Sequence, residues 1–128
     1  AMAGVDVNDG KKRDGRDISD YLFNPGKEQP NRPYFYWHVG YLEAVRYGDW
    51  KLKLKGKYSR DEIQAHELYN LRSDPGESNN VADKHQDIVE KLVKMAEQER
   101  KGLGQFTDKG EEVRQTILVE NPKPILKK

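Results

Sequence analysis

From Trp50 to Lys55 apolar and cationic residues alternate strictly, with Trp50, Leu52 and Leu54 on one side of an extended chain and Lys51, Lys53 and Lys55 on the other. A period of two of this kind marks a strand with one buried face and one wet face. The preceding block, Leu42-Glu43-Ala44-Val45-Arg46, has the same mixed character. Between the two blocks lies Tyr47-Gly48-Asp49, where a glycine can take the positive φ of a tight hairpin. Two antiparallel strands are therefore predicted. Upstream, the aromatic run Tyr34-Phe35-Tyr36-Trp37-His38 favours a pleated, half-buried surface and predicts a third strand. Downstream, Glu67-Leu68-Tyr69-Asn70-Leu71 predicts a fourth, stopped by the turn chemistry of Ser73-Asp74-Pro75-Gly76. The polar residues 56–65 between the third and fourth blocks read as a loop.

The period changes after residue 83. At 100° per residue Ile88, Val89, Leu92, Met95, Ala96 and Leu103 fall on one stripe, and Glu90, Lys91, Lys94, Glu97, Gln98 and Lys101 fall opposite. An amphipathic helix is predicted to begin near Asp83, with Asp83 as its cap and Gln86 in capping-box register. Glu90 with Lys94 and Glu97 with Lys101 are four-apart pairs in the favourable order, and Gly102 and Gly104 supply the stop. The fold class expected is α+β: a small antiparallel sheet of about four strands with one amphipathic C-terminal helix on one face.

Outside this block the chain is less organised. Residues 1–33 carry Pro25, Pro30, Pro33 and several glycines around one apolar cluster, Ile18, Tyr21, Leu22 and Phe23, and read as a linker. Residues 105–128 form an extended tail whose one apolar run, Ile117-Leu118-Val119, needs a surface to lie on. Charged residues make up 35% and hydrophobic residues 34% of the 128, so the core must come from few segments. A net charge of +1 provides no global field to attract nucleic acid or an anionic membrane, and neither partner is expected. No apolar run approaches the roughly 20 residues that span a bilayer.

Candidate chemistry is sparse. The absence of Cys removes thiol nucleophiles and thiolate metal ligands. Asp6, Asp9, Asp14, Asp17 and Asp20 crowd the start, but Gly10 falls where an EF-hand requires a third ligand and no Glu closes the loop, so the stretch reads as a solvated acidic loop. His38, His66 and His85 lack metal-ligand spacing. The stripe of Lys51, Lys53, Lys55 and Lys57, with Tyr58 beside it, suits a polyanion, although lysine on the wet face of a strand also blocks unwanted edge pairing.

Three strings in order carry a resemblance: Ala44-Val45-Arg46-Tyr47-Gly48-Asp49-Trp50-Lys51-Leu52, then Glu67-Leu68-Tyr69-Asn70-Leu71, then Asp74-Pro75-Gly76-Glu77-Ser78-Asn79-Asn80-Val81-Ala82. With the helix that follows, residues 34–104 resemble the C-terminal subdomain of type I sulfatases, the arylsulfatase-like hydrolases of sulfate esters. Ala3-Gly4-Val5 and Asp14-Gly15-Arg16-Asp17-Ile18-Ser19 resemble the last stretch of that family's large α/β domain. The resemblance implies three parts: residues 1–33 as the end of the catalytic domain and linker, 34–104 as the subdomain, and 105–128 as the tail. Without the family, the same strings have folding roles. Gly48-Asp49 turns a hairpin, Trp50 anchors a thin core, Asp74-Pro75 ends a strand, and Asn79-Asn80 can satisfy loose backbone groups before the helix.

For chemistry the resemblance implies a formylglycine made within a Cys/Ser-x-Pro-x-Arg motif and a calcium ion, both in a catalytic domain that this sequence lacks. Ser73-Asp74-Pro75-Gly76-Glu77 places Glu77 where that motif requires Arg, so it reads as a turn. No cofactor is expected within these residues, and the fragment alone is expected to be inactive. Its implied partners are the parent's own N-terminal catalytic domain and, for the parent, a sulfate ester or sulfated glycan. The implied compartment is the periplasm or the exterior. In such enzymes this sheet edge can face the catalytic cleft, which makes His38 the one candidate substrate-side residue. The alternative is an independent module that offers the lysine stripe and Tyr34, Tyr36 and Trp37 to a polyanion or glycan. An excised subdomain should leave Ile18, Leu22, Phe23 and Ile117-Leu118-Val119 without partners and should self-associate.

Overall fold

A computed structural model describes residues 15, 17–28, 30–55 and 64–113. The sequence in which the elements appear is a short helix α1 (Ser19–Phe23), strands β1 (Pro33–His38), β2 (Tyr41–Tyr47), β3 (Trp50–Leu54) and β4 (Ala65–Asn70), a 3-10 turn (Ala82–Lys84) and a long helix α2 (Gln86–Leu103). A small hairpin of β5 (Gly104–Gln105) and β6 (Asp108–Lys109) follows. The four strands form an antiparallel meander in the order β1-β2-β3-β4, and α2 covers one face. This is the α+β architecture that the two periodicities predict.

The β2–β3 hairpin turns where glycine allows it. Tyr47 pairs with Trp50, and Gly48 between them sits at φ 61°, a conformation that costs an L-residue roughly 1 kcal/mol or more. Register then lines up the core, because Val45 faces Leu52 and Leu52 faces Leu68 across adjacent strands. All three are fully buried, and Val89, Leu92 and Ala96 of α2 pack onto them. A bulge where β1 passes from Tyr36 to Trp37 sets Ala44 opposite Tyr36 and Leu42 opposite Trp37. The extra residue in β2 keeps both Leu42 and Val45 in the helix-side core despite their odd spacing.

The helix differs from expectation at both ends. Asp83 does not cap it: residues 82–84 form a separate 3-10 turn, and His85 precedes α2 without a side-chain cap. Gln86 instead reaches back from its Nε2 to the Ala82 carbonyl, 2.9 Å away. The His85 ring lies 4.8 Å from the Trp50 ring, so the chain enters the helix against an aromatic anchor. At the other end Leu103 keeps the helical period of the apolar stripe yet is 46% exposed. Gly104 stops α2 at φ 81°. A Cβ there would lie 2.0 Å from the Asp108 carbonyl oxygen, so the β5–β6 hairpin can fold back only over a glycine.

Asn80 ties the sheet to the approach to α2. Its Oδ1 accepts from the backbone N–H groups of Leu68 and Ala82, each at 3.0 Å, while the Val81 N–H donates to the Leu68 carbonyl at 2.9 Å. The outer edge of β4 is thereby closed at Leu68. At the opposite end of the sheet, among the described residues, β1 pairs only with β2.

Replacing Leu52 with Ala should destabilise the chain by about 2–5 kcal/mol, whereas Leu103→Ala should change stability by less than about 0.5 kcal/mol. Urea unfolding of the two variants checks this, and equal effects would mean that the core is centred elsewhere.

Candidate functional site

Strand alternation that buries Leu52 turns Lys51 and Lys53 to the face away from α2. Two cross-strand rows cover that face: Tyr34, Arg46, Lys51 and Tyr69 in one, and Tyr36, Ala44, Lys53 and Glu67 in the other. The face is not wet in the way its lysines suggest. Ala44 and Tyr69 are 4% and 5% exposed, and Glu77 of the loop after β4 reaches Lys51 and Lys53 on this face. Asp74 shapes that loop by accepting from the N–H groups of Ser78 and Asn79 at 2.9 and 2.8 Å. The turn holds Glu77 at φ 53°, in the left-handed region that non-glycine residues rarely occupy.

What this backbone conformation achieves is to bring the Glu77 carboxylate between the two lysines. Its Oε1 is 2.5 Å from Lys51 Nζ and its Oε2 is 3.0 Å from Lys53 Nζ, and Lys53 also lies 3.7 Å from Glu67. The ammonium groups of the same lysines meet aromatic rings. Lys51 Nζ stands 4.8 Å from the Tyr36 ring centre, and Lys53 Nζ stands 4.8 Å from that of Tyr69. Lys51 and Glu77 are mostly shielded from water, with side-chain exposures of 16% and 22%. A charge pair so placed is costly to break, because removing one partner strands the other.

Beside this clamp lies a groove of about 340 Å³ lined by Tyr36, Glu43, Ala44, Lys53, Leu54 and His66, among others. Glu43 Oε1 is buried there and accepts no hydrogen bond among the described residues. His66 is exposed at the groove rim, with its Nε2 3.8 Å from Glu67. His38 sits at the exposed end of β1 opposite Tyr41, beside a turn in which Val39 and Gly40 both take positive φ. Phe106 donates its N–H to the Gly40 carbonyl at 2.9 Å and stacks on Tyr41 at 5.4 Å, so the segment after α2 returns to the neighbourhood of His38.

The three histidines stay apart: His38 at the sheet end, His66 at the groove, His85 against Trp50. Among the described residues no three His, Asp or Glu side chains are grouped to hold a metal ion. Ser73-Asp74-Pro75-Gly76-Glu77 is a turn whose Glu77 serves the lysine clamp. Lys55 is exposed, while Lys57, Tyr58 and the acidic residues Asp6, Asp9 and Asp14 lie outside the described residues, as does Ile117-Leu118-Val119. Sequence reasoning missed Glu77 as a partner of the lysines, since the two groups are 26 residues apart and no local period links them.

Ionisation follows from these contacts. The Glu77 carboxyl is held below its ordinary value of 4.5, chiefly by the hydrogen bond from Lys51 and then by that from Lys53, against the effect of burial. Lys53 is raised, first by its bond to Glu77, and the Tyr69 phenol is raised mainly by burial.

The sequence model of the C-terminal region of aryl-sulfatase matches residues 29–123. No curated protein matches the chain.

Because folding lowers the Glu77 pKa, its contribution should be complete above pH 4.5 and lost as pH falls through the lowered value. Lys53 and Tyr69 act at the other end, stabilising below about pH 10 and losing that contribution as pH rises through their raised values. Glu77→Gln should cost about 1–3 kcal/mol at pH 7 and flatten the acid limb of a stability profile. Urea midpoints recorded from pH 3 to 7 give the comparison, and an unchanged acid limb would remove the clamp from the account.

Proposed function

The chain belongs to the family of aryl-sulfatase C-terminal regions, which its matched residues 29–123 place beyond half of the sequence, and we propose that it serves a sulfatase as the buttress of the catalytic domain. In this reading the parent enzyme hydrolyses a sulfate ester with calcium and formylglycine in that domain, and these residues brace it. His38, exposed at the end of β1, stands at the rim of the substrate pocket.

The observation that carries the buttress reading is the asymmetry of the sheet's surroundings. The β4 edge is closed by Asn80 and Val81. In the residues before β1, on β1 and in the turn after it, Ile18, Leu22, Phe23, Tyr34 and Val39 are 45%, 58%, 68%, 63% and 64% exposed, and a smaller exposed set, Leu103, Phe106 and Val113, lies at and after the end of α2. Large apolar groups concentrated before and along an edge strand suit a neighbour that covers them. The rival reading, a free-standing module that uses the lysine stripe, is weakened by the same sheet, since Lys51 and Lys53 are already neutralised by Glu77 and Glu67.

The 128-residue chain should release no product from a chromogenic aryl sulfate, with or without calcium; dose-dependent turnover by the purified chain would overturn the reading. In light scattering it should self-associate as concentration rises, and Leu22→Ser with Phe23→Ser should restore a monomer. A wild-type chain that stays monomeric at millimolar concentration would show that the exposed apolar side needs no neighbour.

A further inference from the structure

Two β-bulges interrupt the four-stranded sheet, and each sets one residue out of the pairing. On β2, Glu43 falls between Leu42, opposite Trp37, and Ala44, opposite Tyr36. On β4, His66 falls between Ala65, opposite Leu54, and Glu67, opposite Lys53. Strict alternation would send both to the helix side, since their neighbours Ala44 and Glu67 belong to the face away from α2. A bulge breaks that alternation and re-aims the side chain it carries. Glu43 and His66 accordingly line one groove, that of about 340 Å³ beside the lysine clamp.

This groove holds an acceptor for which the fold supplies no donor. Glu43 Oε1 is buried without a hydrogen-bond partner, and no cation among the described residues pairs with the Glu43 carboxylate. Buried polar atoms in that condition are rare in folded chains. The two lysines of the lining, Lys51 and Lys53, are engaged by Glu77 at 2.5 and 3.0 Å. Lys51 and Lys53 bring two positive charges and Glu43, Glu67 and Glu77 three negative ones, so groove and clamp together keep a charge of −1 with His66 neutral. An anion is disfavoured there, and a cation that donates a hydrogen bond is favoured. The remaining lining is apolar or aromatic, with Ala44 buried, Leu54 half-buried and Tyr36 adding its ring. Such walls suit a short alkyl stem, and the volume lies at the small end of the range of ligand clefts.

We propose that this groove binds an alkyl cation, an ammonium or guanidinium group on a short apolar stem. The charged end donates to the Glu43 carboxylate, the stem lies against Ala44, Leu54 and Tyr36, and His66 stands at the mouth. Two sources supply such a group, a free alkylamine or a lysine or arginine side chain of a bound protein, and the chemistry of recognition is shared. The site rests on the two bulges and the unpaired carboxylate, and is independent of the sulfatase reading.

The test titrates the 128-residue chain at neutral pH with butylguanidinium, butylammonium, methylammonium and butyrate, read by amide NMR shifts. The two butyl cations should bind saturably, move the signals of Glu43, Ala44, Leu54 and His66, and bind at least about tenfold more tightly than methylammonium or butyrate. Glu43→Gln should weaken them about tenfold or more, while Glu90→Gln on the exposed side of α2 should stay within about twofold. Butylguanidinium should also raise the urea midpoint of wild type and not that of Glu43→Gln. Without ligand, Glu43→Gln should unfold at no lower urea than wild type, because it removes an unpaired charge. A lower midpoint would mean that Glu43 serves the fold, and would overturn the inference. So would butyrate binding equal to that of the cations, no saturable binding of either butyl cation, or cation binding that Glu43→Gln leaves unchanged. A flexible Gly-Ser peptide with one arginine, against its citrulline counterpart, separates the sources. Arginine-dependent binding at least as tight as that of butylguanidinium supports a protein side chain, and weaker peptide binding supports a free amine. Turnover by the longer chain is read separately, so the failure of this site and the failure of the sulfatase reading remain distinguishable.

Discussion

Everything in this molecule depends on a single row of three side chains, Val45, Leu52 and Leu68, held in register across three strands and sealed by α2. Among the described residues the buried apolar side chains form one cluster, so no second core there compensates for a fault in this one. Register is the constraint behind the row. A slip of one residue on β3 would send Leu52 to the far face and bring Lys51 or Lys53 under the helix. The Gly48 turn and the β1–β2 bulge keep that slip from happening. The position of every other group follows, including which lysines meet Glu77 and which residues line the groove beside them.

The two faces of the sheet are closed by different physics. On the helix side the closure is apolar burial, non-directional and tolerant of shape. On the far side it is a carboxylate inserted between two ammonium groups, with tyrosine rings beside them. Such a pair contributes modestly to net stability but fixes geometry, because each charge must find its partner. The left-handed backbone at Glu77 is the local strain that this insertion requires. The loop that carries Glu77 also carries Asn80, which closes the β4 edge. One segment, residues 74–81, therefore reaches the far face, seals an edge and leads into α2.

Much of this was legible in the residues. The alternation from Trp50 to Lys55, the turn glycine and the 3.6-residue stripe of α2 each reflect local geometry, and local geometry repeats in sequence. The strands, the hairpin and the helix body were therefore readable, as was the role of Asn80 in satisfying backbone groups. The start of α2 was not, because the capping-box pattern at Asp83 competes with a tertiary contact, His85 against Trp50, that no short window contains. Leu103 obeys the helical period yet is exposed, since periodicity tells which way a residue points and not what covers it. The lysine stripe misled for a related reason: alternation marks a face as polar, and only the fold shows that a loop residue neutralises it. The groove of Glu43 and His66 escaped notice because the two residues come from separate strands, each displaced by a bulge that only the pairing of the strands reveals.

The central claim is that the apolar side before and along β1 is built to be covered by a catalytic domain, while the β4 edge is complete in itself. Amide hydrogen exchange, measured on this chain and on the same residues within the longer sulfatase chain, tests it most directly. The account predicts that residues 18–23 and 33–38 exchange at least about tenfold more slowly in the longer chain, with residues 65–70 unchanged. Equal exchange at 18–23 and 33–38 in both would contradict it.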